Sequence, residues 1–254
     1  MNHFRPSLLH FSRIPAFGNY FNRNTSSISL SKDWNFASAK DAFVERAQKL
    51  RPVSLAAFSK PSRNATETKD VPLGYATLVP LCVISGVPGI LFTLRSANLY
   101  KHRGEISLPG GRADKSDKDL IETAVRETEE EIGFPRDRIQ VWASLPAMPT
   151  RNSEGRVTSV VGFCGNVTAA DFRPNPTEVA EIFFCSLDHL CRHNGFTTFR
   201  KRLTMPVFHT GKELDWRPIW GMTAVTIETV LKCLVPDRYP HRRLSISPTI
   251  RSEI

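Results

Sequence analysis

Residues 104–134 read GEISLPGGRADKSDKDLIETAVRETEEEIGF, and this stretch decides the fold. Pro109, Gly110 and Gly111 form a turn in which absent side chains let backbone approach a phosphate closely. Ser116 is placed to cap a helix over residues 117–132, with Asp119 three positions on as the acid of a capping box, and Gly133 supplies a left-handed stop. Ile121, Val125, Thr128 and Ile132 follow helical spacing and predict the core stripe. Glu127, Glu130 and Glu131 fall within about a 100° arc on the other side. Glu127, Glu129, Glu130 and Glu131 crowd the C-terminal half, where the macrodipole favours cations, and Glu127 repels Glu131 across one turn. Something positive must compensate. Arg126, four residues before Glu130, pairs with one carboxylate and leaves the others to a divalent ion. Hard oxygen ligands without a neighbouring His or Cys suit Mg²⁺ or Mn²⁺ better than Zn²⁺. A merely solvated acidic face accounts for the glutamates alone, but not for the glycine turn in front of them.

Outward from this segment, Ala42, Phe43, Ala47 and Leu50 predict an amphipathic helix over residues 39–50, and residues 54–70 read as a polar linker. Apolar, β-branched runs predict strands at 75–84 and 90–94, joined by a hairpin signal over 85–89, and further strands at 140–145, 157–167, 179–185 and 203–208. A second long helix is expected over 222–234. Strands on both sides of a central helix, with a helix at the end, fit an α+β fold: a mixed sheet between helices.

Hydrophobic residues make up 41% of the 254 and charged residues 23%, which excludes a disordered chain. No stretch approaches the roughly 18 uninterrupted apolar residues of a membrane span, so none is expected. The net charge of +9 lies mostly at the ends. Arg5, Arg13, Arg23 and Lys32 give residues 1–32 an excess of four, and residues 237–254 carry two more, leaving a body only mildly basic. That balance fits a small anionic substrate and argues against a nucleic-acid partner. Residues 1–32 contain no acid, and Phe4, Leu8 and Phe11 share one helical face opposite Arg13, the composition of a mitochondrial presequence. Five scattered cysteines without a close pair argue for a reducing compartment. Cys185, His189, Cys191 and His193 invite a zinc reading, but their spacing fits a strand end, a Ser186 cap and a short helix better. Nothing in the sequence specifies an oligomeric state.

Arg126-Glu127-Thr128-Glu129-Glu130-Glu131-Ile132-Gly133-Phe134 resembles the second half of the Nudix hydrolase box, with Thr128 in an apolar slot. The first half departs: Gly111 lies one position too far upstream, and Lys118 stands where the early Glu belongs, with Asp117 the nearest acid. The longer spacing is similar to that of the coenzyme A diphosphatase branch. So is an upstream signature, Leu91-Phe92-Thr93-Leu94-Arg95-Ser96, followed in register by Gly104 and Pro109-Gly110-Gly111, with Tyr100 and Leu108 departing from the pattern. The likeness continues through residues 173–179 and 219–224, and is to the mitochondrial members of the branch in particular.

The resemblance implies a Nudix-type α/β/α sandwich over residues 71–236, between a helix and linker (33–70) and a basic tail (237–254). It implies a diphosphatase that splits coenzyme A or acyl-coenzyme A with Mg²⁺ or Mn²⁺. In that reading Glu127, Glu130 and Glu131 are metal ligands, and Arg126 and Glu130 are catalytic. Arg95, Ser96, Gly110, Gly111 and Arg112 would bind substrate. Glu130, Glu178 and Glu181 stay open as general bases, Arg103 is a further candidate for the substrate's phosphates, and Trp216, Trp220 and Phe208 are candidate walls for the site. Rival readings are a Nudix enzyme for another dinucleotide such as NADH or ADP-ribose, and a silent Nudix binding module.

Overall fold

Strand β1 (Tyr75–Ile84) is apolar along nearly its whole length because both of its faces are covered. Val79 and Leu81 point into one core cluster, while Ala76, Leu78, Cys82 and Ile84 point into another. The period of two therefore separates two cores on either side of one sheet. The computed structural model describes residues 34–51, 74–99, 102–150, 155–199 and 203–239. The predicted targeting segment, the linker, Tyr100 and most of the basic tail lie outside the described residues.

The chain order is α1 (Phe36–Gln48), β1, β2 (Val87–Arg95), β3 (Ile106–Ser107), β4 (Gly110–Arg112) and α2 (Leu120–Ile132). It continues with β5 (Gln140–Ser144), β6 (Met148–Pro149), β7 (Arg156–Asn166), β8 (Val179–Ser186) and α3 (Leu187–Arg192). Last come β9 (Asn194–Phe199), β10 (Leu203–His209), β11 (Pro218–Ile219) and α4 (Gly221–Leu234). Among the described residues the main sheet has eight strands, with the path β3-β2-β1-β7-β5 and with β4, β6 and β8 paired to β1, β7 and β2. The β1–β7 pair is parallel and its other pairings antiparallel, so the sheet is mixed as expected. Helix α2 covers one face; α1 and α4 cover the other. A small antiparallel sheet, β11-β10-β9, was not foreseen beyond β10.

Two corrections concern lengths. The β1–β2 loop is only Ser85-Gly86, both with positive φ (52° and 79°), so Val87 and Pro88 already belong to the strand. The first helix starts earlier than predicted, because Asn35 caps it by accepting from the Ser38 amide at 2.9 Å. Among the described residues no helix is long and apolar enough to cross a membrane.

Helix α1 belongs to the same core as α4. Phe43 is fully buried, 5.7 Å from the Trp142 ring, and Arg46 donates to the Cys233 carbonyl at 2.9 Å. Phe43→Ala is expected to cost about 3–5 kcal/mol, the usual range for deleting a buried aromatic. Urea unfolding checks this, and a loss under about 1 kcal/mol would mean that α1 is only loosely held.

Candidate functional site

Helix α2 starts three residues later than the sequence pattern suggests. Asp119 is its cap, accepting from the Ile121 and Glu122 amides at 2.8 Å each, while the Ser116 hydroxyl donates to Asp114 instead. The reason is Asp117. Left outside the helix, it turns a buried carboxylate onto Arg126, accepting from Nε and Nη2 at 2.8 Å each. Thr123 Oγ1 and the Asp114 amide donate to the same carboxylate at 2.8 and 2.9 Å. Asp117 thus takes up Arg126, and the longer turn is absorbed in the three residues before the helix. The paired guanidinium holds the Asp117 carboxyl far below the usual carboxylate range, and Arg126 is correspondingly locked in its charged form.

Arg126 serves more than the single partner read from its spacing. Its Nη1 donates to Glu127 at 3.1 Å and to Glu130 at 3.0 Å, and its Nη2 to the Arg112 carbonyl at 3.1 Å. One guanidinium therefore fastens the β4 turn to the outer face of the helix. Burial raises the pKa of Glu127, with Arg126 opposing and the charges of Glu130 and Glu178 adding to the rise.

The predicted core stripe holds at Thr128 and Ile132, with Val125 partly buried against the core, and fails at Ile121. Ile121 is exposed, and Thr123, Ala124, Thr128, Glu131 and Ile132 are the buried residues. Thr128 tolerates the apolar slot because its hydroxyl donates to the Ala124 carbonyl of its own helix at 2.6 Å. Glu131 does not sit on a solvated face. It is 2% exposed, its Oε1 lies 3.6 Å from Arg95 Nη1, and its Oε2 is buried without a hydrogen-bond partner. Burial pushes its carboxyl up to about 8, opposed chiefly by Arg95 and reinforced by the nearby charges of Glu178 and Glu127.

The room left by the glycines is taken up from within the protein. A Cβ on Gly111 would fall 2.4 Å from the Glu127 carboxylate, and one on Gly110, at φ 152°, 2.3 Å from the Ala76 carbonyl. The turn thus lets β4 press against β1 and the helix carboxylates. Beyond the helix, Gly133 adopts the expected left-handed cap at φ 65°. The Arg173 and Asn175 amides then take the carbonyls of Ile132 and Glu131 at 2.8 and 2.9 Å. The same loop delivers Glu178, whose carbonyl accepts from the Ser96 amide at 2.8 Å.

The predicted residues thus form two linked groups. Arg126, Glu127 and Glu130 share one network with the Arg112 backbone; Arg95 and Glu131 form the other, and Gly110 and Gly111 lie between them. Glu130 is well exposed, whereas Ser96 is buried and its hydroxyl accepts from the Asn98 amide at 3.3 Å. Among the described residues no three acidic, His or Cys side chains are gathered closely enough to hold a metal ion. Phe208 is core, while Trp216 and Trp220 stay on the surface. Ser186 caps α3 through the His189 amide at 3.1 Å, as the short-helix reading had it. Sequence reasoning missed Thr123, whose only signal was its place two turns of spacing after Asp117, and it could not rank Glu178 above Glu181.

A mixed sheet between helices, with a glutamate-rich helix clamped by arginine behind a glycine turn, defines a hydrolase of the Nudix class. Residues 76–206 match the NUDIX domain, and the chain belongs to the Nudix hydrolase family. It is 39% identical over 185 residues to mitochondrial coenzyme A diphosphatase NUDT8 of Mus musculus, covering 70% of this chain and 86% of that one. To the Homo sapiens NUDT8 it is 39% identical over 179 residues, covering 67% and 73%. The uncharacterized Nudix hydrolase NudL of Pectobacterium atrosepticum is 39% identical over 166 residues, covering 64% and 83%.

Asp117→Asn removes the charge of the most buried partner of Arg126 while Glu127 and Glu130 remain, and the expected cost is about 1.5–3 kcal/mol in urea unfolding. The two most strongly shifted carboxyls act in separate pH windows. Asp117, depressed, contributes stability above its ordinary value of 3.8 that is lost only in stronger acid. Glu131, raised, contributes stability that is full below 4.5 and lost as pH climbs to about 8. With a chelator present, the melting temperature should therefore fall between pH 5 and 8 in the wild type. In Glu131→Gln that fall should largely disappear, and an unchanged slope would contradict the burial argument.

Proposed function

We propose that this enzyme cleaves the diphosphate of coenzyme A, or of acyl-coenzyme A, to 3′,5′-ADP and (acyl-)4′-phosphopantetheine, and that it does so with a divalent cation. The observation that carries the reading is that the two sequence signatures meet physically: Arg95 of the upstream stretch faces Glu131 of the box, and Ser96 is bonded to the backbone of Glu178. The likeness to relatives named coenzyme A diphosphatases supports the same substrate class.

The residues fit a hard cation. Glu131 Oε2 is a buried carboxylate oxygen without a partner, and both Glu131 and Glu127 have carboxyls that burial leaves short of positive charge. Glu127, Glu130 and Glu131 would hold Mg²⁺ or Mn²⁺, with a change of side-chain position to bring them together. Such an ion neutralises a diphosphate and acidifies water. The chain's own residues do the rest. Arg126 orients Glu127 and Glu130; Glu130, exposed and at the end of that network, is placed to accept a proton, with Glu178 as the alternative base. Arg112, exposed beside the turn, Arg95, Ser96 and the Gly110-Gly111 backbone would bind substrate. Residues 1–32 would direct import into mitochondria, and residues 71–236 would carry the activity.

Mass spectrometry of reactions with coenzyme A, acyl-coenzyme A, NADH and ADP-ribose tests the substrate. The expected result is rapid, Mg²⁺- or Mn²⁺-dependent release of 3′,5′-ADP; preference for NADH or ADP-ribose would favour the rival dinucleotide reading. Glu127→Gln should lower kcat by about a hundredfold or more. A fluorescent protein fused behind residues 1–32 should appear in mitochondria, and a diffuse signal would remove that part of the proposal.

A further inference from the structure

The two arginine–carboxylate pairs of the site are built differently. Asp117 and Arg126 meet through two hydrogen bonds of 2.8 Å, and Thr123 and the Asp114 amide complete the carboxylate. Glu131 and Arg95 meet at 3.6 Å, beyond hydrogen-bond reach, and each keeps a buried atom without a partner: Oε2 of Glu131 and Nε of Arg95. A buried carboxylate facing a partly buried guanidinium would normally close to bonding distance, because the desolvation of the pair is offset only by good geometry. This pair sets a carboxyl against a guanidinium and leaves one buried atom of each without a partner.

The backbone explains why Arg95 stays. Its amide donates to the Glu105 carbonyl at 3.0 Å, its carbonyl accepts from Gly104 at 3.1 Å, and the next amide is fixed on Glu178. The register shift between Leu94 and Arg95 in the β2–β8 pairing falls at the same place. The main chain of Arg95 is therefore anchored on two sides, and only its side chain is free to give way.

We propose that Arg95 is the resident counter-cation of Glu131, a guanidinium that holds the buried carboxylate until a divalent ion takes it. The inference rests on the metal reading above. Arg95 is thereby a positioning residue: it keeps Glu131 compensated inside the protein. On release it leaves a cation with unfilled donors beside the proposed diphosphate position. Because it competes with the ion for one carboxylate, its removal should strengthen ion binding, whereas loss of a merely structural residue would weaken it.

Calorimetric titration of the full chain with Mg²⁺, wild type and variants at one fixed pH, tests this. Arg95→Gln is expected to bind Mg²⁺ about three- to tenfold more tightly than the wild type, and Arg95→Lys, which keeps the charge, to stay within about twofold. Equal or weaker binding in a folded Arg95→Gln overturns the proposal. A measurement on the unmutated protein guards against a misfolded variant: the NMR signal of the Arg95 Nε–H, assigned by its absence in Arg95→Lys, should move on adding Mg²⁺ while that of Arg126 stays. A stationary Arg95 signal overturns the proposal as well. Absence of Mg²⁺ binding by the wild type removes the metal reading and this inference together. Binding that Glu131→Gln abolishes and Arg95→Gln leaves unchanged removes this inference alone.

Discussion

Arg126 is the cation that ties the acidic helix to the turn before it, while Glu129 and Glu131 face Arg136 and Arg95. Four carboxylates, those of Asp117, Glu127, Glu130 and Glu131, crowd the end of the helix and the turn before it, and three of them bond to this single guanidinium. Its contacts are not equal. The contact to Glu130, largely in solvent, is worth at most about 1 kcal/mol. The contact to Asp117 is nearly buried and fork-shaped, and breaking such a pair costs several times more. Hence Asp117 decides where the helix starts, and Asp119 inherits the cap. Lysine has one point charge and no fork, and it could not supply both the paired bonds to Asp117 and the bond to the Arg112 carbonyl.

A buried glutamate is a liability that the rest of the fold carries. Glu131 lies on the same helix as the buried Ala124, Thr128 and Ile132, so its carboxyl is carried inward by residues whose packing is favourable. The loop that takes the helix's last carbonyls pins it there, since Asn175 bonds to the carbonyl of Glu131 itself. Two core clusters, one on each face of the sheet, hold this arrangement against its electrostatic cost. Stability and site chemistry pull in opposite directions at this residue, as they do where function requires an uncompensated charge.

Much of the fold was legible because the strands obey a period of two and are apolar on both faces: β1 starts and ends where residues 75–84 predicted, and β5, β7 and β8 agree within a residue or so. The Gly133 stop and the Ser186 cap were legible because each is a local rule. What failed depended on distant partners. Ser116-x-x-Asp119 looked like a capping box, yet the pull of Arg126 on Asp117 lies nine residues away and outweighs it. The stripe of Ile121, Val125, Thr128 and Ile132 obeyed helical spacing and fails only at Ile121, but spacing alone put Glu131 on the side away from the core, where the structure buries it. Strands of two or three residues such as β3, β4 and β11 carry no periodicity to read. The site residues were all identifiable by type, but their division between two arginines was invisible, because it depends on the β2–β8 register and the loop after α2.

That division gives a physical reason for two sequence signatures to travel together. Glu127 and Glu130 face the outer side of the β4 turn and are held by an arginine of their own helix; Glu131 faces inward and finds its cation on β2. Gly110 and Gly111 separate the two, and any side chain at Gly111 would displace Glu127. A change of turn length slides β4 relative to the helix, and Asp117 can follow because the residues before α2 are not yet helical. No such slack exists for Arg95, whose backbone is bonded on both sides. The turn can therefore vary in length while the upstream arginine cannot shift by even one position, since a strand residue one place along points to the opposite face of the sheet.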